Sequence, residues 1–569
     1  MRWWLVIALA GCGDNLDGSC RSWFQWGGDA AHDNQSCVRG QALTSVLADI
    51  VIDPFVPMEL ADAGGDLSLH YQSPLLTGAL LFTMAKTGTY TPCVHPITGG
   101  EKCDFWRLDS QVWTEQAYRI VESSGELVPL WTFPTDWKPV PGQSFEPMFQ
   151  AALSGDRIVV PAANGGVWEL DQQTGAVVEH FAPFDRADVP PVREGVRVAG
   201  GIAVGPDGTL YYNAVQVAQS GARVGSWLVA IAPDGTETIV DYATLIPGAP
   251  AAGDPCVYRY NTLDDPYPWP VQNPDGSIRL PQAYACGPQQ VGLNLTPSVG
   301  TDGSVFVATH ATFNESYAYV VALGHDLALR WAASLRDHLR DGCGGLIAPD
   351  AKVCPPGTPA GLDPYTGLLP AGAVSDDSSA SPVALPDGGV LYGAYSFYNG
   401  YRGHMFRFDA AGAILGTYDF GWDTTPSVIG TGPDFKIVTK DNHYGRDANG
   451  VDLGPYYITE LDASLKVLWQ VASTNTQSCA RATDGSVACT EDHPNGFEWC
   501  VNAVAVDRDG TIFANSEDGT AYAITADGLP RDSLFLDQAL GAAYTPVALD
   551  PRGRIFTLNS GHLAELGHP

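Results

Sequence analysis

The sequence predicts an all-β fold: an eight-bladed β-propeller of four-stranded antiparallel blades, closed by an N-terminal strand pairing with the C-terminal blade. Three observations carry this. A unit of four short apolar runs separated by turn signals recurs along the chain, the last unit has only three runs, and one strand-like run near the N-terminus has no neighbour. A lone four-stranded sheet leaves both faces and two edges open, so such units must stack on copies of themselves.

The clearest unit is Thr296–Trp331, which reads TPSVG, an Asp302-Gly303 turn, SVFVATH, a polar break at Asn314-Glu315-Ser316, YAYVVAL and LALRW. Apolar runs of this length between turn residues form a meander of short strands. Blade one runs from Ser73-Pro74 to Trp131 and blade two from Glu146-Pro147 to Phe181. Blade three starts at Gly200, with turns at Asp207-Gly208 and Asp234-Gly235, and blade four is the unit above. Blades five and six start at Ser381-Pro382 and Thr425-Pro426, blade six ending at Trp469. Blade seven runs from Val501 to a fourth run at Ser533–Leu536, and blade eight starts at Thr545-Pro546 and stops after three runs. The orphan run is Leu47–Phe55; pairing it into blade eight removes the open edges. X-Pro pairs at Pro74, Pro147, Pro297, Pro382, Pro426 and Pro546 suit the first residue of an inner strand, because proline has no N–H to leave unpaired. Trp131, Trp331 and Trp469 close fourth runs and are expected to stack between blades rather than on a ligand.

Charge narrows the function classes. Thirty basic against 64 acidic residues gives −34, which opposes a phosphate-binding surface and hence nucleic acid, and fits a well-solvated exported surface. The N-terminus, MRWWLVIALAGC, has one positive charge, a short apolar run and Leu9-Ala10-Gly11-Cys12, which resembles a bacterial lipobox. That resemblance implies a lipoprotein signal peptide over residues 1–11, lipidation at Cys12 and a tether over 12–22; the repeats make 23–569 one propeller domain. Gly13 after the cysteine favours the outer membrane, on its periplasmic or surface face.

The remaining cysteines fit an oxidising compartment. Sequence neighbours suggest pairs Cys20–Cys37, Cys93–Cys103, Cys256–Cys286 and Cys343–Cys354, with one pair among Cys479, Cys489 and Cys500 and one thiol left over. The internal groups fall in insertions at about 87–108, 245–290, 336–378 and 472–500. Long loops of this kind are commonly functional, and a crosslink argues against disorder.

Trp23, Trp26, Gly27 and His32 form a W-x-x-W-G-x-x-x-x-H opening. With the repeats, it resembles the quinoprotein alcohol dehydrogenase-like superfamily of pyrroloquinoline-quinone-type repeats. That superfamily holds dehydrogenases that bind the quinone and calcium in the central channel. It also holds non-catalytic scaffolds, among them the lipoprotein of the outer-membrane barrel-assembly machine. The adjacent-cysteine disulfide typical of those dehydrogenases and the c-haem motif of the quinohaem branch do not occur here, nor do G-x-S-x-G, H-E-x-x-H or a Walker loop. Asp447, Asn449 and Asp452 alternate around a glycine, a weak calcium-loop candidate that reads first as an Asx-rich turn. His70-Tyr71-Gln72 and Trp137-Lys138-Pro139 border blade one and suit either packing or the channel mouth.

The function expected is a lipid-anchored, monomeric envelope propeller that binds a protein or envelope polymer through its disulfide-pinned loops. It has no cofactor and meets the membrane only through its anchor. The alternative is a channel-site enzyme, either a quinone- and calcium-dependent dehydrogenase or a carbohydrate-active hydrolase or lyase.

Overall fold

The computed structural model describes residues 23–569 except 63–68, 93–109, 142, 144, 186–194, 219–221, 258–282, 347–353, 355, 365, 397, 400–401, 445–453, 483, 538–542 and 545. The expected signal peptide, Cys12, the tether, Cys20, Cys93, Cys103 and the calcium-loop candidate Asp447, Asn449 and Asp452 lie outside the described residues.

Eight antiparallel sheets follow one another along the chain, each ordered from an inner first strand to an outer fourth. Blade one consists of Leu75–Thr77, Leu80–Gly88, Gln111–Ile120 and Leu127–Pro134. Blade four keeps the expected strands and gains Gln289–Val291, which pairs beside the first strand on Val305–Ala311. The apolar runs read as they do because second strands are buried on both faces: every residue of Val305–Ala311 is buried, whereas the outer strand Val177–Phe181 is largely exposed. Asp207-Gly208, Asp302-Gly303 and Asp387-Gly388 turn between first and second strands. Their glycines have φ of 87°, 77° and 83°, which a side chain would strain, and each aspartate Oδ1 accepts the N–H two residues on. Five of the X-Pro pairs stand directly before a first strand. Pro147 instead precedes Ala152–Ser154 by several residues, because the chain between them packs on the axis.

Blades dock through tryptophan. The Trp131 indole N–H donates to the Gln172 carbonyl (2.9 Å), Trp331 to Ala410 (3.0 Å) and Trp469 to Ala526 (3.2 Å), each in the following blade. Each ring also lies against a glycine of that blade, Gly175, Gly412 or Gly528, where an added Cβ would come within 2.6–2.7 Å of it. The expected stacking is what these residues do.

Ser45–Val51 is the fourth strand of blade eight. It pairs antiparallel with His562–Gly567, with Ser45 opposite Gly567 and Val51 opposite His562. The ring therefore closes between the two ends of the chain. A short helix, α1 (Val56–Asp62), then leads towards blade one.

The segment ahead of that strand seals one end of the channel. The carbonyls of Trp23 and Phe24 accept from Leu76 and Leu153 in blades one and two, and the Gln25 amide bonds Val204 in blade three. Ala30, Ala31, Asp33 and Asn34 then accept from Val299, Ala384, Val428 and Val506 in blades four to seven, and the Gln41 N–H donates to Gly553 in blade eight. The chain thus visits all eight blades in order, satisfying N–H groups where first strands end. The curve needs left-handed backbone at Gly27, Gly28, His32 and Asn34. His32 is fully buried and its Nδ1 lies 2.9 Å from the Pro382 carbonyl, which can only accept, so Nδ1 carries the proton. Burial pulls this imidazole down to about 4 and keeps it neutral. The Trp/Gly/His opening is structural: it builds the plug.

Candidate functional site: the loop face and the buried axis

In a four-stranded meander the first-to-second and third-to-fourth turns share one face, and the second-to-third and blade-to-blade connections share the other. The plug lies on the first face. All four insertions leave strands on the second, so the two faces of the disc differ in kind.

Three of the four insertions carry a disulfide among the described residues. Cys256–Cys286 closes the hairpin Pro255–Val257/Ala283–Ala285, Cys343–Cys354 forms as expected, and Cys479 pairs with Cys489. Those last two stand directly opposite each other in the hairpin Gln477–Arg481/Val487–Glu491, which leaves Cys500 as the thiol outside the pair. Cys37 is disulfide-bonded, and its expected partner Cys20 is not among the described residues. The 336–378 insertion is also held by charge. Asp376 bonds Arg223 of blade three and, at 3.1 Å, His310 of blade four. Asp341 meets His404 of blade five at 2.5 Å, and Asp363 accepts from the Tyr398 hydroxyl at 2.6 Å. Burial alone would raise the Asp376 carboxyl, but Arg223 and His310 outweigh it and hold it below the carboxylate range.

Beneath the loops the axial positions are filled with polar side chains that bond to one another. Asp423 Oδ1 accepts from the Ser379 N–H (2.8 Å) and from Asn502 Nδ2 (3.1 Å), and Lys440 Nζ lies 3.8 Å from its other oxygen. His70 Nδ1 contacts the Glu146 carbonyl at 2.9 Å, and the Asn294 amide bridges the Met148 N–H and the Asp376 carbonyl. His70, Glu146, Asn294, Asp423 and Asn502 are all buried. Burial lowers the His70 imidazole and pushes the Asp377 carboxyl up to about 6. Of the two clusters bordering blade one, His70-Tyr71-Gln72 therefore joins the axis. Trp137 is core, packed edge-on against Trp113 and Phe149, and the Lys138 ammonium bonds the Gln111 carbonyl.

Beside the axis lies a cluster that sequence reasoning missed. Lys86, fully buried, bonds Asp53 (2.6 Å), Glu59 (3.0 Å) and Glu146. Gln111 donates to Glu59, and the Tyr71 hydroxyl reaches Asp53. Burial alone would lower the ammonium, but the three carboxylates hold it well above its usual value. Burial pushes Glu146 up to about 8 against the pull of Lys86. The one available signal was a lysine inside the apolar run LLFTMAKTG.

Two groups among the described residues bring three metal-type donors within 4.8 Å of one another. In Asp53, Glu59 and Glu146 the cation is already supplied by Lys86. In Glu498, Cys500 and Glu517, burial raises the thiol well above its ordinary value, with the two neighbouring glutamates adding to the shift. The sequence holds no pair of adjacent cysteines of the kind that flanks the quinone in the resembling dehydrogenases. No chemical step is derived through such a group.

No protein-family model matches the chain, and no curated protein matches it. Among solved structures, the quinohaemoprotein alcohol dehydrogenase of Comamonas testosteroni is similar at a TM-score of 0.50 and 11% identity, covering 96% of this chain and 81% of that one. The alcohol dehydrogenase ADHIIG of Pseudomonas putida HK5 is similar at a TM-score of 0.51 and 10% identity, with the same coverages. BamB of Moraxella catarrhalis also matches, at a TM-score of 0.30, a likeness too loose to argue from. At these identities the likeness speaks to fold alone. The chain is an eight-bladed propeller with the fold of the quinoprotein alcohol dehydrogenases, as its repeats and its Trp-rich opening led us to expect.

Proposed function

We propose that this protein is a non-catalytic envelope propeller, anchored in the outer membrane through acylated Cys12, that binds a protein or envelope polymer on its loop face. The observation that supports this most is how the disc is divided. One end of the channel is sealed by the chain's own Trp23–Gln41 segment, the axis under the other face is packed with mutually bonded side chains, and every long insertion stands on that second face. Insertions crosslinked at Cys256–Cys286, Cys343–Cys354 and Cys479–Cys489 suit recognition by a surface; an enzyme of the channel would need access to it.

The test replaces residues 258–282 with a short glycine linker, keeping the Cys256–Cys286 stem. A partner bound by the intact protein should be lost from this variant and retained by one altered at Pro206 on the plug face. Undiminished binding after replacement of each of the four insertions would overturn the reading. So would alcohol oxidation with a dye acceptor after addition of quinone and calcium, which the enzyme reading expects.

A further inference from the structure

We infer that the plugged face carries a binding site of its own, a cavity between the plug and blades one to four that takes a short uncharged saccharide. It stands apart from the loop face and does not depend on what that face binds.

The cavity lies where the plug crosses from blade three to blade four. Trp23, Phe24 and Gln25 bond blades one, two and three, and the chain then turns through left-handed Gly27 and Gly28 before the Ala30 carbonyl meets the Val299 N–H of blade four. The space enclosed there is about 730 Å³, within the ~300–1,000 Å³ of small-molecule sites. The exposed turn residues Gly155, Pro206 and Thr301 rim it, so it opens to solvent.

The lining sets the ligand class. It holds no Lys, Arg or His, and the chain carries −34 overall, which disfavours a phosphate or a carboxylate. An extended peptide would need a free strand edge, yet the N–H groups of Leu76, Leu153, Val204 and Val299 at this face already donate to the plug. What remains are scattered neutral groups. The hydroxyls of Thr77, Ser154 and Thr301 line the cavity and have no hydrogen-bond partner among the described residues. The indole N–H of Trp23, a residue of the same wall only 2% exposed, has none there either. Asp29, the single charged residue of the lining, adds a strong acceptor for hydroxyl donors. The half-buried Phe24 and Val204 supply apolar surface beside these groups. A pyranose presents hydroxyls around its edge and C–H groups on its faces, and a wall of spaced hydroxyls, one carboxylate and an aromatic ring matches both.

The experiment titrates the full chain with maltotriose and with triacetylchitotriose, read by saturation-transfer NMR and calorimetry, and uses trigalacturonate as the anionic comparison. At least one neutral trisaccharide should bind, and trigalacturonate should bind about tenfold more weakly or not at all. Thr301→Trp and Ser154→Trp each fill the cavity with a bulky ring and should weaken binding about tenfold, with urea midpoints checking that both variants are folded. Replacing residues 258–282 on the loop face should leave the affinity unchanged. No binding of either neutral sugar, equal binding of the anion, or binding that survives both tryptophan substitutions would overturn the site. Loss of sugar binding on replacing 258–282 would also overturn it, while supporting the reading of the loop face.

Discussion

Replacing Lys86 with methionine tests the buried cluster that joins the ring closure to blade one. Asp53 follows the closing strand, Glu59 lies on α1, Glu146 is in the link to blade two, and Lys86 alone neutralises all three from within blade one. Methionine keeps the volume but leaves three carboxylates with no counter-charge. Removing one partner of a buried ion pair costs ~3–5 kcal/mol, and here the cost depends on pH. Burial raises both Glu59 and Glu146, the latter to about 8, so these groups favour folding in their protonated form. Their contribution is complete below the ordinary glutamate pKa and is lost as pH rises through the folded value, the more so without Lys86. Urea unfolding of Lys86→Met should therefore show a loss of ~3–5 kcal/mol at pH 8 that shrinks toward pH 5. Adding Glu146→Gln should restore part of it. A loss below ~1 kcal/mol at pH 8, or one independent of pH, would refute this account of the cluster.

Glu115 offers a simpler pH test. It is fully buried, accepts one bond from Gln72, has no partner for Oε2 among the described residues, and is pushed by burial up to about 8. Glu115→Gln should lie close to the parent near pH 5 and exceed its stability by a few kcal/mol (about 5 at most) above pH 8, as read from urea midpoints. For the blade docks, Gly412→Val combines a φ of 84° with a Cβ placed 2.6 Å from the Trp331 ring, so it should cost at least as much as Trp331→Ala, ~2–3 kcal/mol, with little further loss in the double variant. Cys479→Ser with Cys489→Ser should leave global unfolding unchanged while making the exposed 477–491 hairpin the first site of proteolysis, because the crosslink is local to it.

The fold was legible because propeller blades are local objects. Each meander shows its own apolar runs and Asp-Gly turns, and the count of runs assigns the Leu47–Phe55 run to the last blade without any long-range information; the strand itself is Ser45–Val51, ending before the chain turns into α1. The plug was not legible as such. Trp23–Gln41 bonds a different blade every few residues and so has no period of two or of 3.6, and only its tryptophans and glycines hinted at a special backbone. The Lys86 cluster is similarly opaque, since its partners lie up to 60 residues away and their meeting depends on ring closure. The choice among Cys479, Cys489 and Cys500 was set by hairpin register, which places the first two opposite each other. Of the proposed binding surface, the sequence marks the insertions; that they share a face follows only once the strand order is known.

The closed ring is tested most directly by Val51→Cys with His562→Cys, two exposed positions opposite each other in the closing pair. Mild oxidation should crosslink them within one chain, independently of protein concentration, and peptide mapping should join the N-terminal segment to the C-terminal strand. No crosslink between them, or one that forms only between chains, would contradict closure by the two ends of the polypeptide.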